Sequence, residues 1–248
     1  MPWPESWLPE AWIALPRTDE PEDIDDPDQP YSDVAASLED IALSNRLFGG
    51  TQTILHHVSR LLAGVPADRP IRILDIATGS ADIPGALWEW GRRRERNLTV
   101  IGVDNQASML RLASAQVPNV FLVQADALAL PFPPDAFDLA FCALAFHHLG
   151  FEPSVRLLAA MDRLTTRGFI VSDLRRDLPT LWGVQAAMAA VQAHPFSRHD
   201  GPASVRRAFS LREYRRMVAL SGVQQVRLHT HWYFRVALVQ TKPAPKIG

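Results

Sequence analysis

The most constraining feature of this chain is the alternation of strand-like and helical segments between Ile71 and Asp173. Apolar, β-prone runs at Ile71–Ile76, 99–103, 120–124, 137–142 and 168–173 are separated by helical patterns. These run through Trp88 and Trp90, over 106–115 and over 153–164. Strand, crossover helix and strand repeated in this order build a parallel sheet with helices on both faces. Two helical segments come first. One covers 34–48; after Gly49-Gly50, another begins at Thr51 with Ile54, Leu55, Val58, Leu61 and Leu62 on one face. Beyond Asp173 the pattern gives helices at 179–193 and 211–220, then two strand-like runs at 223–229 and 233–240 that fit a closing antiparallel hairpin. The expected fold is therefore α/β: a doubly wound, mostly parallel, seven-stranded sheet with N-terminal helices and a closing hairpin. At 248 residues, 47% of them apolar, the chain fills one core of catalytic size.

Charge and composition narrow the partners. The net charge of −2 gives no overall basic field to draw nucleic acid or anionic lipid, and no apolar run is long enough to cross a bilayer. The one cysteine, Cys142, leaves no internal disulfide and no CxxC-type zinc site, and no metal is expected. The start of the chain lacks a signal-peptide pattern, so the expected location is cytoplasmic. The charges are uneven: residues 1–40 hold 12 Asp/Glu against the single Arg17, which leaves the remainder basic. Residues 1–32 read as an acidic, proline-rich arm without a helix or strand, and 33–248 as the catalytic domain, with its N-terminal helices at 33–66. Two readings of the arm stand side by side. It is a disordered tail, or it folds back over the Arg-rich body as a lid, with Trp12 and Tyr31 as anchors.

The chemistry hangs on the ends of the strands. Asp75-Ile76-Ala77-Thr78-Gly79-Ser80-Ala81 joins the first strand to its helix. A dinucleotide-binding loop would need a third glycine where Asp82 stands, and a pyrophosphate would meet the carboxylates of Asp75 and Asp82. That weighs against a nicotinamide oxidoreductase. A ligand carrying an ammonium and a sulfonium is the better match to an acid at this strand end. Asp104, 29 residues on, ends the second strand on the same sheet edge beside Asn105 and is suited to a ribose diol; Asp126 follows the third strand, where an acceptor can meet an adenine amino group.

Taken together, LDIATGSADIP, VIGVDNQASMLRLA, LVQADALALPFPPDAFDLAFCALAFHHL and RGFIVSDLRR make the chain resemble the Rossmann-like (class I) S-adenosylmethionine-dependent methyltransferases of small molecules. The resemblance covers roughly Ile71 to Asp173. It implies S-adenosyl-L-methionine as cofactor and S-adenosyl-L-homocysteine as product. It also implies Asp75, Ala77 and Gly79 around the methionine part, Asp104 with Asn105 at the ribose, Asp126 with Ala127 at the adenine, and Ala143 at the end of the fourth strand. Two glycines of the family's turn are Ala77 and Ala81 here, and each methyl narrows the approach or opposes a left-handed backbone. By the same likeness Arg46, in the N-terminal helices, is a candidate for the cofactor's carboxylate.

Methyl transfer asks the protein mainly to align nucleophile, methyl and sulfur and to exclude water. Where the nucleophile is a phenol or enol a general base helps, and His147 and His148, just past the fourth strand, are the candidates; a hydrogen-bonded loop anchor is the structural alternative. Residues 175–210 read as a substrate-side insert that carries His199, Asp200 and Arg206, which together with Tyr31 are candidates for holding the acceptor. The overall layout loosely resembles bacterial methyltransferases of quinone and polyketide-type metabolism, which implies a phenolic, quinol or polyketide hydroxyl or carbon as acceptor. The competing classes are a non-catalytic S-adenosylmethionine-binding or partner module and an NAD-dependent oxidoreductase.

Overall fold

The computed structural model describes residues 14–26, 28–231 and 234–243. Trp12 and the proposed strand start at Tyr233 lie outside them. Seven strands form one sheet in the order β3-β2-β1-β4-β5-β7-β6: β1 Ile71–Ile76, β2 Leu98–Asp104, β3 Phe121–Gln124, β4 Phe137–Ala143, β5 Thr165–Leu174, β6 Val226–Thr230 and β7 Arg235–Gln240. β1 to β5 run parallel, and β7 lies antiparallel between β5 and β6. The helices are α1 Tyr31–Leu47, α2 Gly50–Leu61, α3 Asp82–Arg92, α4 Ala107–Gln116, α5 Phe151–Leu164, α6 Leu178–Ala190, α7 Pro195–Arg207 and α8 Leu211–Ser221.

Alternation along β1 divides the core. Ile71 and Ile73 pack with Ile54 and Val58 of α2 and Leu87 of α3, whereas Leu74 and Ile76 pack with Leu157, Leu158 and Met161 of α5 and Met217 of α8. Both faces of the sheet are covered, which is why the parallel strands read as nearly continuous apolar runs.

Three features differ from the sequence reading. α1 starts at Tyr31 instead of 34, because Pro30 at the N-cap presets the backbone angle before the first turn. Among its described residues the arm, read as free of helix, contains a 3₁₀ turn at Asp23–Asp25 as well as the start of α1. Residues 195–207, read only as part of the substrate-side insert, are a helix. α7 opens with Pro195 and buries Ser197, Asp200, Ala203, Ser204 and Val205, a face too polar to give an apolar period.

The arm is docked along the body. Arg176 Nη1 donates to the Leu15 carbonyl, Arg17 Nε to that of Arg207, and the Thr18 N–H to that of Arg206. Ile24 packs with Val34, Leu38, Met109 and Leu112 in a small apolar cluster of its own.

Candidate active site

The strand order reverses between β1 and β4, and at such a point the loops leaving the C-terminal ends diverge and open a crevice. A cavity of about 450 Å³ lies there. It is lined by the ends of β1, β2 and β4, by α1, α6 and α7, and by Glu22, Ile24 and Asp25 of the arm.

At one end are the strand-end acids. Asp75 is buried and accepts the Thr78 hydroxyl at 2.7 Å. Burial first, then the nearby Asp82 and Asp104, push its carboxyl well above the usual range. Asp104 accepts the N–H of Gly79 and that of Gln106, each at 2.9 Å, so its two oxygens shape the turn they also expose. Thr78 reaches β2 through its N–H to the Val103 carbonyl. A Cβ on Gly102 would lie 2.7 Å from the Thr78 hydroxyl, so only glycine admits this approach. Ala77 and Ala81 take left-handed φ of 60° and 58°, as does Leu144 after β4 at 54°. The two alanines hold a conformation that glycine would hold without strain. Asp126 accepts the Leu128 N–H at 2.8 Å. Asp75, Ala77, Gly79, Asp104, Asn105, Asp126, Ala127 and Ala143 all line the cavity.

Arg46 does not: it is exposed, and its carbonyl accepts from Gln52. Its neighbour Asn45 lines the cavity instead. Asn45 donates to Asp82 at 3.0 Å and accepts from Arg235 at 3.1 Å, and a Cβ on Gly50 would overlap its carboxamide. The four-residue spacing of Ser37, Ile41 and Asn45 is the sequence signal that places Asn45 inward and turns Arg46 away.

At the other end the arm meets the loop after β4. His147 is buried; its Nδ1 lies 2.7 Å from Asp173, whose carboxylate also accepts the His147 N–H at 3.1 Å and the Leu174 N–H at 2.6 Å. Burial alone would raise Asp173, but the His147 ring and these bonds hold it below the usual carboxylate range. The His148 Nδ1 lies 2.9 Å from Asp25. Glu22 Oε1 is 3.7 Å from His147 Nε2, and Oε2 is 3.7 Å from His148 Nε2. Burial is the largest influence on Glu22 and takes its carboxyl up to about 7, although His148, Ser204 and Arg207 oppose the rise.

The remaining candidates divide. Asp200 is buried and lines the cavity, and it accepts the N–H groups of Asp23 at 2.7 Å and Ile24 at 3.1 Å. Arg206 and His199 are absent from the lining. Arg206 holds Thr18 through its carbonyl; half-exposed His199 lies 3.3 Å from Asp23 and 3.0 Å from Asp200. Tyr31 is 58% exposed and does not line the cavity. Sequence reasoning missed Glu22 and Asp25, whose neighbours in space are more than a hundred residues away in sequence. Cys142 lines the cavity, but burial raises its thiol well above the ordinary value, so it remains a protonated wall.

Residues 73–168 match the profile of a family described as "Methyltransferase domain". The matched stretch runs from within β1 into β5 and contains the strand-end acids and the histidine pair. Two relatives are demethylmenaquinone methyltransferases. That of Thermus thermophilus is 38% identical over 109 residues, 40% of this chain and 48% of its own length. That of Deinococcus radiodurans is 35% identical over 106 residues, 41% of this chain and 42% of its own. The chain thus spans just under half the length of these curated relatives. Among solved structures, a SAM dependent methyltransferase from Aquifex aeolicus superposes with a TM-score of 0.51 at 17% identity, over 73% of this chain and 87% of that one. Magnesium protoporphyrin IX methyltransferase from Synechocystis, with bound SAH, gives 0.51 at 16%, over 78% and 84%. The fold is the Rossmann-like one of these solved structures, a mostly parallel seven-stranded sheet with a closing antiparallel hairpin.

Proposed function

We propose that this protein transfers a methyl group from S-adenosyl-L-methionine to a small-molecule acceptor. The observation that carries this reading is one cavity, at the reversal point of the sheet, with Asp75, Asp104 and Asp126 at one end and the histidine pair at the other. The cofactor's chemistry is to present a methyl on a positively charged sulfur. Its cationic methionine end fits buried Asp75 and the nearby Asp82, a carboxylate pair that burial alone destabilises. Asp104 is the candidate for the ribose hydroxyls and Asp126 for the adenine amino group, with Asn105, Ala127, Gly79 and Ala143 supplying close backbone.

Acceptor activation belongs to the other end. Asp173 fixes the His147 ring, and Asp25 fixes that of His148, so both Nε2 atoms lie beside Glu22, and all three residues line the cavity. A phenol or enol proton has acceptors there, and an anionic oxygen or carbon results, ready for in-line attack. Asp200 supports the acceptor wall by holding the arm over it. A phenolic, quinol or polyketide-type hydroxyl or carbon is the proposed acceptor. The likeness to demethylmenaquinone methyltransferases favours the quinol member.

A thermal-shift and turnover screen with S-adenosylmethionine against phenolic, quinol and polyketide acceptors tests the reading. Stabilisation by S-adenosylmethionine and S-adenosylhomocysteine, with methyl transfer to one of these classes, supports it. Stabilisation by NAD alone would transfer the protein to the oxidoreductases. Cofactor binding without turnover on any acceptor would favour a binding module.

A further inference from the structure

Glu22, His147 and His148 come from two separate segments, yet one ligating atom of each lies within 4.8 Å of the other two. The order imposed on them is unusual for three polar side chains that only pack together. The carboxylates of Asp173 and Asp25 lie 2.7 and 2.9 Å from the Nδ1 atoms of His147 and His148, so each accepts the Nδ1–H of its histidine. This leaves each Nε2 as the available ligand atom, 3.7 Å from an oxygen of Glu22. That is too long for a hydrogen bond. It suits two ligand atoms on one cation: bonds of about 2.1 Å that span this gap open an angle of roughly 120°, near tetrahedral.

We propose that Glu22, His147 and His148 bind a divalent transition metal ion of the zinc type, with its remaining position open to the acceptor end of the cavity. Two imidazoles and a carboxylate form a donor set that zinc takes in catalytic sites, and histidines held at their far nitrogen by carboxylates are the usual support for it. Charge agrees. The carboxylates of Glu22, Asp25 and Asp173 meet here, and among the described residues the guanidinium paired with them is that of Arg207, 3.5 Å from Glu22 and 3.0 Å from Asp25. Three carboxyl groups against one guanidinium leave a surplus of acidic groups that suits a divalent cation. The second cluster of possible ligands, Asp23, His199 and Asp200, differs. There His199 is hydrogen-bonded to Asp200, and both oxygens of Asp200 are spent on the backbone of the arm.

The role of the ion rests on the methyltransferase reading; its binding does not. Bound there, it draws the oxygen of an acceptor hydroxyl and lowers its pKa. The hydroxyl proton leaves to solvent, the oxygen or its conjugated carbon forms the bond to the methyl, and the bond from methyl to sulfur breaks.

The test is zinc stoichiometry and affinity. The full chain is stripped with a chelator, dialysed, and titrated with Zn(II) in competition with a chromophoric chelator; Co(II) serves as a spectroscopic stand-in. One equivalent should bind, with a visible Co(II) band. Glu22→Gln and His148→Ala should each lower Zn(II) affinity at least tenfold while circular dichroism and S-adenosylhomocysteine binding stay as in the wild type. His199→Ala should change nothing. No stoichiometric Zn(II) in the wild type, or equal binding by Glu22→Gln, overturns the site. Binding of S-adenosylhomocysteine without zinc removes the metal and leaves the methyltransferase reading intact; zinc without S-adenosylhomocysteine does the reverse.

Discussion

The carboxylate of Asp200 accepts the backbone N–H of Ile24 at 3.1 Å and so ties the acidic arm to α7 across 176 residues of sequence. The same carboxylate takes the N–H of Asp23, so one buried side chain carries the 3₁₀ turn that delivers Glu22 and Asp25 to the cavity. Asp200→Ala leaves two donors without their anionic acceptor, a loss of about 2–4 kcal/mol shared between local docking and global stability. The expected outcome is faster proteolysis within residues 14–30 and a higher acceptor KM, with S-adenosylhomocysteine affinity little changed. Wild-type kinetics in this variant, or after deletion of residues 1–30 in a chain that still folds, would show that the arm takes no part in closing the site.

Asp104 has two duties, since its oxygens hold Gly79 and Gln106 and also face the cavity. Asp104→Ala should weaken S-adenosylhomocysteine binding by roughly 2–4 kcal/mol in calorimetry, with some loss of melting temperature from the released turn. Unchanged affinity would remove Asp104 from the ribose.

What was legible in the sequence is what local periodicity and strand ends encode. β1 is predicted residue for residue because Ile71, Ile73, Leu74 and Ile76 form a short apolar run that ends at a small-residue turn. Asp75, Asp104 and Asp126 are readable because parallel strands send their C-terminal ends to one edge. Asp173 is readable as a strand end, but its pairing with His147 depends on β4 and β5 being neighbours in register. Glu22 carries no local signal, because an acid in a proline-rich arm looks the same whether it is solvated or buried. α7 is hidden by its polar inner face. The choice between Asn45 and Arg46 turned on helix phase, whereas charge alone points to the arginine.

Ala77 holds a left-handed φ beside the cavity and is only partly buried. The conformation costs an L-residue about 1–2 kcal/mol, and glycine gives back roughly half of that in unfolded-chain entropy. Ala77→Gly should therefore stabilise the protein by about 0.5–1 kcal/mol in urea unfolding and raise cofactor affinity by opening the approach. Ala81 has the same φ but a fully buried methyl worth about 0.8 kcal/mol, so Ala81→Gly should be close to neutral. A destabilised Ala77→Gly would refute strain at this turn.

A group of histidines away from the cavity sets a pH dependence. His57 is buried on α2, its Nε2 lies 3.2 Å from that of His231, and burial followed by the neighbouring His229 and His231 lowers it to about 3. Burial lowers His231 to about 4. Between these values and the unfolded value near 6.5 the unfolded chain binds more protons than the folded one. Stability therefore rises with pH across that window and is lost on acidification below about 6.5. Glu22 acts oppositely, since a carboxyl raised to about 7 favours the folded state on the acid side. The difference between the wild type and His57→Gln isolates the histidine. Urea midpoints measured from pH 7 to 4.5 should fall less steeply in the variant. Equal slopes would show that His57 does not contribute.

Asp173 should act only through His147, because its two oxygens are occupied by the ring and by the N–H groups of His147 and Leu174. A carboxamide there keeps the shape but has one accepting oxygen in place of two. Asp173→Asn therefore releases the tautomer that aims Nε2 at the cavity. Turnover should drop by about 100-fold or more, the range for losing a positioned proton acceptor, while S-adenosylhomocysteine affinity remains near normal. If the histidine works as a ligand, Zn(II) affinity should fall by roughly 10- to 100-fold in the same variant, as for other residues that orient a metal-bound histidine. His147→Ala, measured beside it for melting temperature, cofactor affinity and single-turnover rate, separates the alternatives. A loop anchor loses stability and cofactor binding together, whereas a residue that activates the acceptor loses rate. Near-normal rates in both variants would remove the His147–Asp173 pair from the chemistry and leave alignment of the acceptor as the whole of the protein's contribution.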